Sequence, residues 1–296
     1  MKKKLMLIIN PAAGRGGYKQ NLGEALDVLD KGGYRVTLFF TSGCGEAEIF
    51  TKEHAAEYDT VACVGGDGTL SEVVSGLMQI ENPPKLGYFP MGTTNDVATT
   101  LGLPKNDTVG AAKRILEGRP RPFDIGGFGK DKYFAYVAAF GAFTQVAYAT
   151  PQNQKKVLGH LAYVLQGAMQ LPKIETYRTR VEFDDGVIES DLVYGSMSNS
   201  TSVAGIVKFR DEMVGLGDGM SELVLVKDPG NVEGLGNILN SVLSRRFDSD
   251  KLLVLHTKKV KFTFEKPVAW TRDGEAGGEY REIELCNYAC PIEFIC

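Results

Sequence analysis

The sequence predicts a two-part protein: an α/β first half built on a parallel sheet, then a mostly antiparallel, β-sandwich-like second half. Three observations carry this. Short apolar runs alternate with amphipathic helical stretches through the first half, the pattern of a parallel sheet covered on both faces. Each apolar run ends in a loop of glycine and small polar residues. After Arg119-Pro120-Arg121-Pro122, strand-like runs take over, separated by turns such as Asp184-Asp185-Gly186 and Asp218-Gly219. The expected domains are 1–122 and 123–296, with the last few residues able to return to the first domain. At 296 residues the chain suits two domains.

In order, Lys4–Ile9 reads as a buried strand, and Asn10-Pro11-Ala12-Ala13-Gly14-Arg15-Gly16-Gly17 as a loop. Leu22, Ala25, Leu26 and Leu29 mark a helix ended by Gly32-Gly33. Tyr34–Phe40 is the second strand; after Thr41-Ser42-Gly43, a helix takes in Ala47, Ile49 and Phe50. Thr60–Val64 is the third strand, followed by Gly65, Gly66 and Gly68 around Asp67, then Leu70, Val73, Val74, Leu77 and Met78 at helical spacing. Lys85–Phe89 is the fourth strand, with a loop through Asp96 and a helix over Thr108–Glu117. In the second half, strands are expected at Tyr133–Phe143, Thr179–Phe183, Asp191–Ser196, Met220–Lys227 and Lys258–Phe264, and helices at Leu158–Leu171 and Val232–Leu243.

Net charge is −4, which argues against a duplex nucleic-acid partner. The five cysteines form an odd set with no secretory leader, so a reduced cytoplasm is expected. Cys286 and Cys290 have no second pair or histidine nearby, so zinc is not expected. His54, His160 and His256 are scattered and read as structural or surface residues. No segment approaches the length of a transmembrane helix.

The chemistry is expected at the strand ends. In open α/β sheets the loops after parallel strands crowd at one edge, where ligands bind. Those loops carry Asn10, Thr41, Gly65–Thr69 and Gly92–Asp96. Glycines at a strand-to-helix junction let the backbone approach a phosphate, and the helix N–H groups point at it. Thr69 is placed to cap the helix or to bond a phosphate. A carboxylate at Asp67 repels phosphate unless a cation such as Mg²⁺ lies between. The plainer reading is a glycine-rich turn with Asp as turn former, and Asn95-Asp96 as loop formers or a helix N-cap.

Gly65-Gly66-Asp67-Gly68-Thr69 followed by Gly92-Thr93-Thr94-Asn95-Asp96 resembles the catalytic domain of the diacylglycerol kinase family, especially its bacterial soluble lipid kinases, relatives of sphingosine kinases. Asn10-Pro11 with Gly14, Thr41, Asp124 in Phe-Asp-Ile-Gly, Tyr136–Gly141, Ser198-Asn199, Gly205, Asp218-Gly219 and Asp273-Gly274-Glu275 occur in the family's order. NAD kinases and phosphofructokinases share the Gly-Gly-Asp-Gly signature and a similar first domain, but not the later motifs. The resemblance implies transfer of the γ-phosphoryl of ATP to a lipid hydroxyl, with diacylglycerol as default acceptor. It implies nucleotide binding by Asn10, Thr41, Gly65, Gly66, Asp67, Gly68, Thr69, Thr93 and Asn95. It implies Asp273 as general base, Glu275 orienting from the same turn, and Asp67, Asp96 and Asp124 facing them around Mg²⁺ and water. It implies a second, structural or allosteric Mg²⁺ at Asp218 with the carbonyls of Gly215 and Met220.

Three departures stand out: Thr94, where alanine or glycine is common; Arg272 before the Asp-Gly-Glu; and Ala276-Gly277-Gly278, expected to lengthen that turn. A cytosolic enzyme would dock transiently on the inner leaflet. Lys155-Lys156 before the 158–171 helix is a candidate surface, with a core-packed helix as the alternative. A homodimer stays open. Other acceptors (a sphingoid base, phosphatidylglycerol, NAD or a soluble alcohol) keep the same motifs, as does a nucleotide-binding regulator without catalysis.

Overall fold

The computed structural model describes residues 2–141, 175–199, 202–203, 207–208, 216–231, 233–234, 236–238, 241 and 250–296. The expected 158–171 helix, the Lys155-Lys156 pair, Gly205 and Gly215 lie outside these residues, as does much of the expected 232–243 helix. Two compact units form: Met1–Ile125 with Ala289–Cys296, and Gly126–Tyr288.

The first unit runs β1 (Lys3–Ile9), α1 (Leu22–Lys31), β2 (Tyr34–Phe40), α2 (Glu46–His54), β3 (Thr60–Gly65), α3 (Asp67–Leu77), β4 (Lys85–Pro90), α4 (Asp96–Leu101) and α5 (Thr108–Glu117), then enters β5 (Pro120–Phe128). The strand order is β2-β1-β3-β4, and every pairing is parallel. Beyond β4, Phe294 pairs in parallel with Leu86. Its ring meets Phe123 edge-on at 4.9 Å. Leu5, Leu7, Ile9, Ala62, Val64 and Phe89 form the core with Ala25 and Leu29 of α1 and Ala111, Ala112 and Ile115 of α5. These β-branched and aliphatic runs are buried on both faces, which is why they read as continuous rather than alternating. Asp107 caps α5, accepting from Gly110 N at 2.8 Å. The register aligns the strand ends: Ile9 lies beside Phe40 and Val64, and Val64 beside Phe89. Four loops therefore leave from one edge. The expected loop after Asn10 contains a 3₁₀ turn over Ala13–Gln20.

The second unit contains β6 (Lys132–Phe134), β7 (Val137–Gly141), β8 (Tyr177–Phe183), β9 (Gly186–Ser198), β10 (Ser202–Val203), β11 (Val207–Lys208), β12 (Ser221–Lys227), β13 (Leu252–Thr257), β14 (Lys259–Arg272) and most of β15 (Glu275–Ile295). Its described pairings are antiparallel. The sandwich-like expectation is replaced by a closed hydrogen-bonded circuit, β9–β7–β14–β8–β9. Closure follows from length. β9 and β14 each pair with β8 over one half and with β7 over the other, and β14 shifts register between Thr263 and Val268. Phe134, Phe140, Phe262, Phe264, Trp270 and Met197 pack as the core.

The single expected strand over 133–143 is broken after Phe134, and Ala276–Gly278 belong to β15 rather than to a longer turn. There, Ala276 pairs with Thr271 and Gly278 with Trp270, and a bulge absorbs the extra residue. Among the described residues, no helix is long and apolar enough to cross a membrane.

Candidate functional site

In the first unit, contacts between backbones bring the predicted loops together. Asn10 N donates to Val64 O at 3.0 Å. Its side chain accepts from Ala12 N and donates to Thr69 Oγ1, both at 3.0 Å. Thr69 thus lies inside the first turn of α3 with its hydroxyl bonded to the β1 loop. It does not cap the helix: Gly66 holds that position, with extended backbone. Thr41 N donates to Ile9 O at 2.9 Å. Gly14 has φ +55° and sits so close to the Met91 carbonyl that a Cβ would overlap it.

Two further glycines are required by space. A Cβ on Gly65 would lie 2.5 Å from the Thr69 side chain, and one on Gly92 would lie 2.5 Å from Gly66 Cα. The β3 and β4 loops therefore touch backbone to backbone, and Met91 N closes the contact on Gly65 O at 2.7 Å. Gly68 lies in the first turn of α3, and Thr93 is exposed on the β4 loop.

Asn95 shapes that loop. It adopts left-handed φ +52° ahead of α4 and is buried. Its Oδ1 accepts from Gly92 N at 2.9 Å and Tyr88 Oη at 3.2 Å, and its Nδ2 donates to Gly92 O at 3.0 Å and Pro90 O at 3.4 Å. The amide's four bonding positions are thus used inside the loop. Thr94, one of the three departures, offers its carbonyl to Lys105 Nζ at 2.8 Å.

Asp67 and Asp96 occupy the first turns of α3 and α4. Both act on the buried Tyr88 hydroxyl, whose pKa is pushed well up by burial first, then by Asp67, Cys63 and Asp96. Burial, and then Asp67, also pushes up the Cys63 thiol. Asp124, fully buried on β5, accepts from Cys290 N at 2.8 Å.

In the second unit, Asp273 and Gly274 form a two-residue hairpin turn between β14 and β15, with φ +48° and +83°. An ordinary Asp-Gly turn leaves its carboxylate in solvent. Here Asp273 is 3% exposed. Its Oδ2 accepts from Ala135 N at 2.7 Å, and its Oδ1 from Tyr136 N and Val137 N at 3.0 Å. These donors account for the break between β6 and β7. Arg272 donates Nη1 to Tyr133 O at 3.0 Å, so this departure supports the same stretch. Glu275 is exposed at the start of β15.

Asp218 folds back on its own turn, accepting from Met220 N at 2.9 Å, while the Met220 carbonyl accepts from Asn287 Nδ2 at 2.7 Å. Sequence reasoning missed Tyr88 and Asn287, and it held the loop-forming role of Asn95 only as the plainer reading. The first two sit in ordinary strand sequence, and only the register brings them to these loops.

The diacylglycerol kinase catalytic domain family matches residues 4–128. A diacylglycerol kinase of Bacillus subtilis (strain 168) is 32% identical over 277 residues, covering 93% of this chain and 91% of that protein. One from Staphylococcus aureus (strain MRSA252) is 35% identical over 290 residues, covering 94% and 88%. Two solved structures from Bacillus anthracis str. Sterne, each of a protein named "putative diacylglycerol kinase", superpose with TM-scores of 0.83 and 0.82 at 25% and 26% identity. They cover 99% of this chain and 95% and 97% of theirs. With relatives this similar along almost its whole length, the chain belongs to the diacylglycerol kinase family, kinases that act on a lipid alcohol.

Proposed function

We propose that the protein transfers the γ-phosphoryl of ATP to the free hydroxyl of a diacylglycerol, giving phosphatidic acid. The observation that carries this is the identity of about a third, over more than nine-tenths of both chains, to a protein named diacylglycerol kinase. In this reading the phosphates lie on Gly65–Thr69 and Gly92–Thr93, bordered by Asn10 and Thr41. Asn95 serves by holding the β4 loop in shape. Gly65, Gly66 and Gly92 let the β3 and β4 loops and Thr69 pack closely, which shapes the cradle.

Asp67 and Asp96, in the first turns of α3 and α4, carry hard oxygen donors of the kind that suits Mg²⁺. Asp67 and Asp96 would hold it, with Asp124 as a further carboxylate of the set. Bound there, Mg²⁺ would neutralise charge on the phosphates. Asp273 is the general base. Its three backbone donors fix the direction of the carboxylate, which a proton acceptor in phosphoryl transfer requires. Glu275 borders it on the same hairpin. A second Mg²⁺ would use Oδ2 of Asp218 and the carbonyls of Met220 and Gly215. The enzyme works in the cytoplasm, docking peripherally on the inner leaflet.

The test is a labelled-ATP assay on a panel of diacylglycerol, a sphingoid base, phosphatidylglycerol and NAD, with and without EDTA. Labelled phosphatidic acid that disappears with EDTA is expected; labelling of NAD alone would sink the lipid acceptor. Asp273→Asn should lower kcat by about 10²–10⁴-fold with little change in KM for ATP. Near-normal turnover in that variant would remove Asp273 from the base role.

A further inference from the structure

The Asp273 carboxylate can be no better placed than the backbone that grips it. Ala135 and Tyr136 lie between β6 and β7 and belong to neither strand. Their N–H groups are turned onto Asp273, so something else must hold this stretch from the other side. Tyr136 O accepts from Asn199 N at 3.0 Å. Asn199 is 1% exposed and follows Ser198, which pairs with Val137.

The Asn199 side chain reaches the opposite way, with Nδ2 donating to Leu216 O at 3.4 Å. Leu216 opens the turn closed by Asp218 on Met220 N at 2.9 Å. Asn287 Nδ2 pins the far end of that turn, on Met220 O at 2.7 Å and Ser221 Oγ at 3.0 Å. An unbroken run of bonds therefore leads from the anchored turn through Asn199 to the carboxylate. Any residue supplies the backbone link to Tyr136. The link to Leu216 needs a short side chain with an N–H donor, and asparagine provides that.

We propose that Asn199 is a positioning residue for Asp273: it ties Tyr136 to the Leu216–Met220 turn and so sets where the carboxylate points. The inference rests on Asp273 being the base. Asn199→Asp keeps the shape, removes the donor and sets an oxygen against the Leu216 carbonyl. Its kcat is expected to fall about 10-fold, the scale of a sub-ångström displacement at a reacting group. KM for ATP is expected to stay the same, because Asn199 belongs to the second unit and the expected phosphate loops to the first.

A residue acting through Asp273 has nothing left to position once the base is gone. In an Asp273→Asn background, Asn199→Asp should therefore change kcat by less than about twofold. A general loss of fold would instead lower both backgrounds equally. Wild-type kcat in N199D, or an equal loss in both backgrounds, overturns the proposal. Should N199D not fold, judged by thermal melting, Asn199→Ser is put through the same cycle with the same two outcomes. If D273N itself keeps full activity, the base reading has failed, a result distinct from N199D and D273N losses that simply add.

Discussion

Gly92→Ala tests whether contact between the β3 and β4 loops builds the phosphate cradle. The new methyl would lie 2.5 Å from Gly66 Cα and 2.7 Å from Asn95 Oδ1, against an ordinary carbon contact of 3.4–4 Å. Relieving it requires the loops to part by about 1 Å, since neither backbone has a rotamer with which to step aside. The clash also falls on the amide oxygen that accepts from Gly92 N and Tyr88 Oη. A displacement of that size at a reacting phosphate costs about 100-fold in rate, and overpacking costs about 1–3 kcal/mol in stability. Gly66→Ala approaches the same contact from the other side. Its methyl would lie 3.2 Å from Gly92 Cα, a shortfall of only a few tenths of an ångström. At saturating lipid, kcat/KM for ATP should fall about 100-fold in G92A and less than about 10-fold in G66A. A G92A enzyme within threefold of wild type, or a G66A enzyme that is worse than G92A, would refute the reasoning.

Asn95→Ala removes all four bonds of a buried amide and leaves Gly92 N without its partner; a loss of about 2–4 kcal/mol by denaturant titration is expected, together with weakened ATP binding. Cys63 should resist iodoacetamide at pH 8 until the protein is denatured, because burial and Asp67 hold its thiol protonated, whereas exposed Cys44 is alkylated in the native state; peptide mass spectrometry reads both. Burial pushes the Tyr194 hydroxyl from 10.0 up to about 12. Below pH 10 both states keep that proton and the stabilisation is complete. Above it the unfolded chain ionises first, so the melting temperature should fall steadily from about pH 10 to 12, a decline that Tyr194→Phe lessens.

Part of this site can be read in the sequence because its signal is local. A strand end, a glycine run and a helix start sit within ten residues at Thr60–Thr69, and the loops after parallel strands must share an edge. That Gly92 meets Gly66, or that Gly14 meets Met91, follows from packing between loops and has no signature in either stretch. Thr69 shows the limit: its residue type allows a cap, yet Gly66 takes the cap because Asn10, 59 positions away, bonds the threonine hydroxyl. The second half was harder to read, since antiparallel strands of mixed polarity carry a weaker pattern and long strands change partner midway. β15 was invisible for this reason. Its alternation is interrupted by the bulge at Gly277, opposite Trp270 and Thr271, and no turn signal divides it.

The sequence by itself determined the alternating α/β half, the four polar loops and the family to which they belong, because these depend on local spacing and on residue types that only glycine or a carboxylate satisfies. Only the tertiary structure decided what each polar group bonds. It turned Asn95 inward to shape its loop, closed the second half into a hydrogen-bonded circuit, and gave the Asp273 carboxylate three backbone donors from a segment 136–138 residues away. Those outcomes depend on strand register and burial. Both arise from the whole chain settling its buried polar groups at once, so they cannot be read from any one stretch of it.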